Sequence, residues 1–338
     1  MNVLVTGGAG YIGSVLITHL LNEGYNVKCL DRFFFGDEHM KELSKKHDLE
    51  IIKDDIRTFD SNLLNGIDSV IDLAAISNDP AGELEPEKTY DINYKGRVRV
   101  ANLCKKSGVR HYILGSSISV YGFQNKIVSE ESPVNPLTTY SKANRNAEME
   151  ILPLNNHDFH VTVLRFSSVY GLSQRMRFDL AVNNMVLDLY RDKKLIISGD
   201  GSQSRPFLHI HDVTRAYQMV LELNNETTSG EIFNVGSDEQ NYTINKLSEE
   251  VSNAINIDFE REFQGSLDHR SYVVSFKKIN DLGFKTKYSV YDGSREIFHA
   301  LNDKKLIPTD KMLTLKWYKH LMEMDEFLKQ IKINNAIL

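Results

Sequence analysis

Three glycines at a spacing of three, Gly7, Gly10 and Gly13, stand between a short apolar run over residues 2–6 and a stretch in which Ile12, Val15, Leu16, His19 and Leu20 recur at helical spacing. That order, strand then turn then helix, constrains the fold more than any other feature of the chain. A glycine at the first position lets the backbone turn tightly. One at the second lets a diphosphate come close to the main chain, and one at the third lets helix and strand pack together. The start of the helix over 12–22 presents unpaired N–H groups and a partial positive charge, which suits an anion. A glycine triplet alone would also fit a plain turn, so the residues downstream decide.

A second apolar run, residues 26–30, ends on Asp31, at the distance where an acid accepts hydrogen bonds from the ribose hydroxyls of an adenosine and repels a 2′-phosphate. The expected cofactor is therefore NAD, although Arg32 follows directly and could instead pair with a 2′-phosphate. A third run, 49–52, leads into Lys53-Asp54-Asp55-Ile56, where Asp55 is placed to hold an adenine edge or to cap a helix. Further strands are expected at 70–73, 112–115, 161–166 and 231–236, with a helix over 93–107. Strands alternating with helices imply a doubly wound parallel sheet, because parallel neighbours need a crossover that covers the sheet face.

After Gly171 the alternation weakens. Helical stretches at 179–191 and 244–255 mix with short strands, and a tail over 310–330 reads as an amphipathic helix. The fold expected is α/β, with a dinucleotide-binding domain over 1–172 plus about 207–236. A smaller mixed α/β domain takes about 173–206 and 237–338.

Acidic residues outnumber basic ones, 46 to 40, for a net charge of −6. No global positive field attracts nucleic acid or anionic lipid, so bound phosphate must be held locally. The two cysteines, Cys29 and Cys104, lie in apolar stretches, which speaks for a reducing compartment and against a disulfide framework. No apolar run approaches the roughly 20 residues of a membrane helix, so a cytoplasmic protein is expected. His209 and His211 read as one face of a strand, but no third ligand stands nearby and no metal is expected.

Taken with Thr6 to Gly13, four further features carry a resemblance: Asp72-Leu73-Ala74-Ala75, Ser116-Ser117-Ile118-Ser119-Val120-Tyr121-Gly122, Tyr140, and Arg205-Pro206-Phe207-Leu208-His209. They resemble the extended short-chain dehydrogenase/reductases, and more narrowly the nucleotide-sugar epimerases and dehydratases. The resemblance implies a nucleotide-diphosphate sugar as substrate and a homodimer built on the helix after Tyr140 and the one over 93–107. It places NAD against Gly7, Gly10, Tyr11, Ile12, Gly13, Asp31, Arg32, Asp55, Ile56, Leu73, Ala74, Ala75, Asn93, Ser116 and Tyr140. It places the substrate against Ser77, Ser117, Ser168, Arg175, Arg177, Asn183, Arg205, Asp268 and Arg270.

In such proteins Ser117 would contact the sugar hydroxyl being oxidised and Tyr140 would remove its proton. A tyrosine can do so only if its pKa falls well below about 10. The family normally supplies a lysine one helical turn on, which lowers the pKa and holds the nicotinamide ribose. Here that position is Asn144; Glu148 fits the next turn, and Lys142 falls on another face of an ideal helix. Either the nicotinamide charge and another group activate Tyr140, which is the expectation, or some redox activity has been lost. The acid–base pair of the family's 4,6-dehydratases is replaced by Ile118 and Ser119. The sequence therefore points to an epimerase, with a 4-dehydrogenase or keto-sugar reductase left open. A non-catalytic NAD-binding regulator, which Asn144 favours and the retained Ser117, Tyr140 and Arg205 disfavour, also stays open.

Overall fold

The computed structural model describes residues 1–223, 225–265 and 270–332. Its strands in chain order are β1 (Asn2–Thr6), β2 (Asn26–Asp31), β3 (Leu49–Lys53), β4 (Ser69–Asp72), β5 (His111–Ser117) and β6 (His160–Phe166), followed by β7 (Ser168–Tyr170), β8 (Lys194–Ser198), β9 (Ser204–His209), β10 (Glu231–Val235), β11 (Asn241–Thr243) and β12 (Glu260–Gln264). Seven of them form one parallel sheet in the order β10-β6-β5-β4-β1-β2-β3. The chain winds outward from β1 to β3, then crosses to β4 and winds the other way. The crevice at the carboxyl ends of β1 and β4 is where such sheets bind ligands, and Thr6 is there in register with both Leu30 and Asp72.

Alternate strand residues feed two cores, as a period of two requires. Val3, Val5, Ile71 and Ile113 pack on one face with Leu16 and Tyr217; Leu4, Leu30, Val70 and Tyr112 pack on the other with Val100 and Cys104. Both faces are covered, so the middle of each inner strand is a continuous apolar run, as in Val3 to Val5, Val70 to Ile71 and Tyr112 to Leu114.

β7 pairs with β9, and β9 with β11, in a second small sheet, while β8 and β12 form a two-stranded ribbon. Helices Ala181–Asp192, Ile244–Ile255 and Val290–Asn302 enclose a third core around Val186, Leu189, Leu247, Val251 and Ile297. Between these pieces the chain returns to the large sheet: helix Ile210–Glu222 packs on helix Tyr11–Asn22, and β10 pairs with β6.

The helix expected over 93–107 starts earlier and is not regular. Pro86 opens it at a position where a missing N–H costs nothing. A widened turn with i→i+5 bonding spans Asp91–Gly96 before regular helix resumes at Arg97–Lys106. The tail helix runs over Thr314–Ile331, and its Trp317 Nε1 donates to Phe34 O at 2.7 Å, which ties it to the loop after β2. Among the described residues no helix is long and apolar enough to cross a membrane.

Candidate active site

A cleft of about 620 Å³ lies at the crevice between β1 and β4, floored by the large sheet and roofed by the smaller unit. Gly7 (φ +66°) takes a left-handed turn against the end of β4, and a Cβ there would sit 2.8 Å from the backbone of Leu73 and Ala74. A Cβ on Gly13 would sit 2.5 Å from Gly7 O. The glycines thus hold turn, helix start and β4 at contact distance, and leave a cradle of main-chain N–H groups that fits a diphosphate. Gly10, Tyr11, Ile12, Leu73, Ala74 and Ala75 share this wall.

Asp31 accepts from Ala9 N at 3.0 Å and Phe33 N at 2.7 Å. A carboxylate has room for further donors, such as a ribose diol. Burial raises its pKa, against the pull of the Phe33 and Ala9 amides. Arg32 is engaged elsewhere: its Nη1 reaches Asp55 Oδ2 at 2.7 Å and its guanidinium lies 4.7 Å over the Phe34 ring. Asp55 is also gripped by Arg57 at 3.0 and 2.7 Å, and hydrogen bonds from Arg57 hold its carboxyl well below the usual range. Asp55 and Ile56 both line the cleft.

Tyr140 sits in the first turn of helix Thr139–Ile151. That start is fixed by a reciprocal cap in which Thr138 Oγ1 accepts from Ser141 N at 3.2 Å and Ser141 Oγ from Thr138 N at 3.0 Å. About two turns later, fully buried Glu148 binds Arg165 at 2.9 and 2.7 Å and accepts from Ser116 Oγ at 2.6 Å, clamping the helix to β5 and β6. The Ser116 hydroxyl is therefore spent on Glu148, although its residue lines the cleft. Ser117 lines the cleft at the end of β5, its Oγ accepting from Ser119 N at 3.1 Å. Burial raises the Tyr140 phenol and the Asp79 carboxylate adds to the rise, while the Asn144 amide, Arg97 and Arg177 pull it down.

Three sequence-derived contact residues lie behind the cleft wall. Asn144 is 1% exposed and accepts from Arg97 Nη1 at 3.0 Å. Asn93 exchanges two hydrogen bonds with Ile76, at 2.8 and 2.9 Å, and so holds the segment that carries Ser77. Asn183 bonds Gly171 N, Tyr11 Oη and Arg177 O, tying the roof to the glycine turn. Lys142 is exposed, on the side its spacing implies. His209 and His211 are not on one strand face: His209 ends β9 and caps the next helix, which contains His211.

Ser77, Ser168, Arg175, Arg177, Arg205 and Arg270 all line the cleft. Arg177 donates to Ser77 Oγ at 3.1 Å and forms a two-pronged pair with Asp179 at 3.0 and 2.7 Å. Arg270 pairs with Asp79, and Arg205 lies 4.9 Å over the Tyr272 ring. Arg175 joins this group through Thr314, whose Oγ1 accepts from its Nη2 at 3.0 Å and donates to Asp179 Oδ1 at 3.3 Å, and its guanidinium lies 3.5 Å over the Phe35 ring in the loop after β2. It therefore faces the cofactor end of the cleft, and burial pulls it down to about 9. Asp268 lies outside the described residues. The sequence reading missed Arg97, Asp79, Phe35 and Tyr318, all in the wall.

The family model described as "NAD dependent epimerase/dehydratase family" matches residues 3–236. A putative UDP-glucose 4-epimerase of Methanocaldococcus jannaschii is 29% identical over 311 residues, 89% of this chain and 98% of that one. UDP-glucuronic acid decarboxylase 1 of Danio rerio is 27% identical over 93% of this chain and 77% of its own. Among solved structures, a UDP-glucuronic acid 4-epimerase from Bacillus cereus, in complex with UDP-glucuronic acid and NAD, superposes with a TM-score of 0.80 at 27% identity, covering 90% of this chain and 100% of that one. With its glycine cradle, its Ser117 and Tyr140 on one cleft and a family match across most of its length, the chain belongs to the NAD-dependent epimerase/dehydratase family.

Proposed function

We propose that the protein is an NAD-dependent epimerase of a UDP-linked hexose or hexuronic acid, inverting C4 through a transient ketone. The observation that carries this reading is one cleft lined together by the glycine cradle, by Tyr140 and Ser117, and by Arg205 and Arg270. NAD, when bound on Gly7 to Gly13 and Asp31, supplies the acceptor that takes up and gives back the C4 hydrogen. Ser117 holds the C4 oxygen, and the Tyr140 phenolate takes the hydroxyl proton as the C–H bond breaks and returns it when the ketone is reduced. Arg205 and Arg270 hold the sugar diphosphate through their forked donors while the ketone turns over to offer its other face. Ile118 and Ser119 bring no acid–base pair for elimination, which disfavours dehydration.

The parts assigned to these tasks are residues 1–172 with about 207–236 for NAD, and about 173–206 with 237–338 for the sugar nucleotide. Two protomers pair through helices Thr139–Ile151 and Arg97–Lys106. Buried unpaired Cys29 and Cys104 suit the reducing cytoplasm.

The test is to incubate the NAD-loaded protein with UDP-glucose and with UDP-glucuronic acid and to resolve the products by chromatography and proton NMR. Epimerisation gives the C4 epimer with no net absorbance at 340 nm. Stoichiometric NADH would make it a dehydrogenase instead, and a pentose product a decarboxylase.

A further inference from the structure

The lysine that a tyrosine base of this kind normally has one turn away is absent, since Asn144 stands in its place. Behind Asn144 lies a cation that the sequence comparison does not announce. Arg97 is 1% exposed, yet it borders the cleft. Its Nη1 donates to Asn144 Oδ1 at 3.0 Å, and its Nη2 to Asp72 O at 2.8 Å and Gly115 O at 2.5 Å. Its Nε lies 3.7 Å from Asp72 Oδ1, without a hydrogen bond. The Asp72 carboxylate spends its hydrogen bonds on Thr6 Oγ1, at 2.6 Å, and on the Tyr112 hydroxyl. The fork of the guanidinium thus points at Asn144 and the end of β5, and the anion sits on its other side. Asn144 Nδ2 is buried and has no partner among the described residues.

We propose that Arg97 is the positioning residue for the Tyr140 base: its guanidinium, relayed by Asn144, carries the positive charge that relatives place at the residue now occupied by Asn144. The widened turn Asp91–Gly96 is what makes this reach possible, because the extra residue rotates Arg97 toward the sheet. Arg97 then cannot turn away, since two carbonyls and Asn144 fix its fork. Asn144 accepts from Arg97 with Oδ1 and keeps Nδ2 on the phenol side, so one amide passes the field of the buried cation on as an aligned dipole. The other charged groups facing Tyr140 are Asp79 from the segment after β4, which opposes ionisation, and Arg177 from the roof, which favours it. The inference rests on Tyr140 being the base of the reaction proposed above.

The experiment needs no substrate, so it separates this inference from that reading. The tyrosinate absorbance of each NAD-loaded protein is titrated with pH, and that of the same protein carrying Tyr140→Phe is subtracted from it, which isolates the ionisation of Tyr140. Arg97→Lys keeps the charge and should leave that ionisation within about half a unit. The double variant Asp72→Asn/Arg97→Gln removes both buried charges together and leaves none unpaired. It should raise the ionisation by about one unit or more, and adding Asn144→Lys to it should bring it back.

Asn144→Lys alone should move the ionisation much less than it does in the double variant, because the wild type already has its cation. A double variant that titrates like wild type overturns the inference, and so does an Asn144→Lys that acts equally in both backgrounds. If the double variant does not fold, Asn144→Lys alone still decides: a full downward unit in wild type means that Arg97 was not supplying the charge. Turnover measured on the same proteins should follow, the rising limb of kcat shifting with the titration.

Discussion

Replacing Gly7 by alanine tests the architecture at its tightest point. Two costs add there. An L-residue in the left-handed conformation that Gly7 adopts (φ +66°) costs about 1–2 kcal/mol. The new Cβ would also lie 2.8 Å from the main chain of Leu73 and Ala74, which cannot rotate aside as a side chain would. Forcing one methyl into packed surroundings costs about 1–3 kcal/mol, so Gly7→Ala should lose about 2–5 kcal/mol, divided between folding stability and NAD affinity. Gly24→Ala is the control, with φ +82° and nothing within 4 Å of the new Cβ. It should lose only the backbone term, about 1–2 kcal/mol, and bind NAD as wild type does. Thermal melting with and without NAD, together with calorimetric titration of NAD, reads both parts. If Gly7→Ala and Gly24→Ala melt together and bind NAD equally, contact between the turn and β4 is not what shapes the cradle.

Tyr140→Phe should lower kcat by about 10²–10⁴ while leaving the NAD dissociation constant unchanged; near-normal turnover would remove Tyr140 as the base. NAD should bind at least about tenfold more tightly than NADP, because Asp31 repels a 2′-phosphate and Arg32 is already held by Asp55. Asp31→Ala should erase that difference in parallel titrations. Asp79→Asn removes a negative charge that raises the Tyr140 phenol, so the rising limb of the pH–rate profile should move to lower pH; a move to higher pH would mean that Asp79 acts only through Arg270. Light scattering at micromolar concentration should give a dimer, and Met149→Glu, which charges an apolar side chain 58% exposed on helix Thr139–Ile151, should give a monomer.

The cofactor half of the site is legible in the sequence because its constraints are local. A glycine is needed where φ is positive or a Cβ has no room, and Asp31 closes the neighbouring strand at a fixed remove, so spacing alone finds both. Tyr140 and Ser117 are legible for the same reason, each lying in a short motif at the end of one element. Arg97 is not, since it shares its helix with Arg99, Lys105 and Lys106 and reads as part of a solvated face. Only the widened turn ahead of it, which no periodicity announces, resets the helical phase. Tyr318 and Phe35 are 283 residues apart in the chain and meet because the tail helix docks on the loop after β2. Asn144, Asn93 and Asn183 lie behind the cleft wall, each with an amide oxygen held by a donor from elsewhere in the chain (Arg97, Ile76 N and Gly171 N), a placement set by tertiary partners that spacing does not register.

The return of the chain at β10 also bears on how the protein is made. In the finished sheet β6 lies between β5 and β10, its residues from Val161 to Phe166 buried. On the ribosome its partner arrives roughly 70 residues later, which at about 5–20 residues per second leaves an apolar strand edge open for about 3–14 s. An open edge of that kind templates pairing with another chain. Synthesis paused between Phe166 and Glu231, or a message truncated there, turns an inner ladder into a sticky border. The yield of active protein should therefore depend on translation speed across this interval and on chaperones that shield nascent strands.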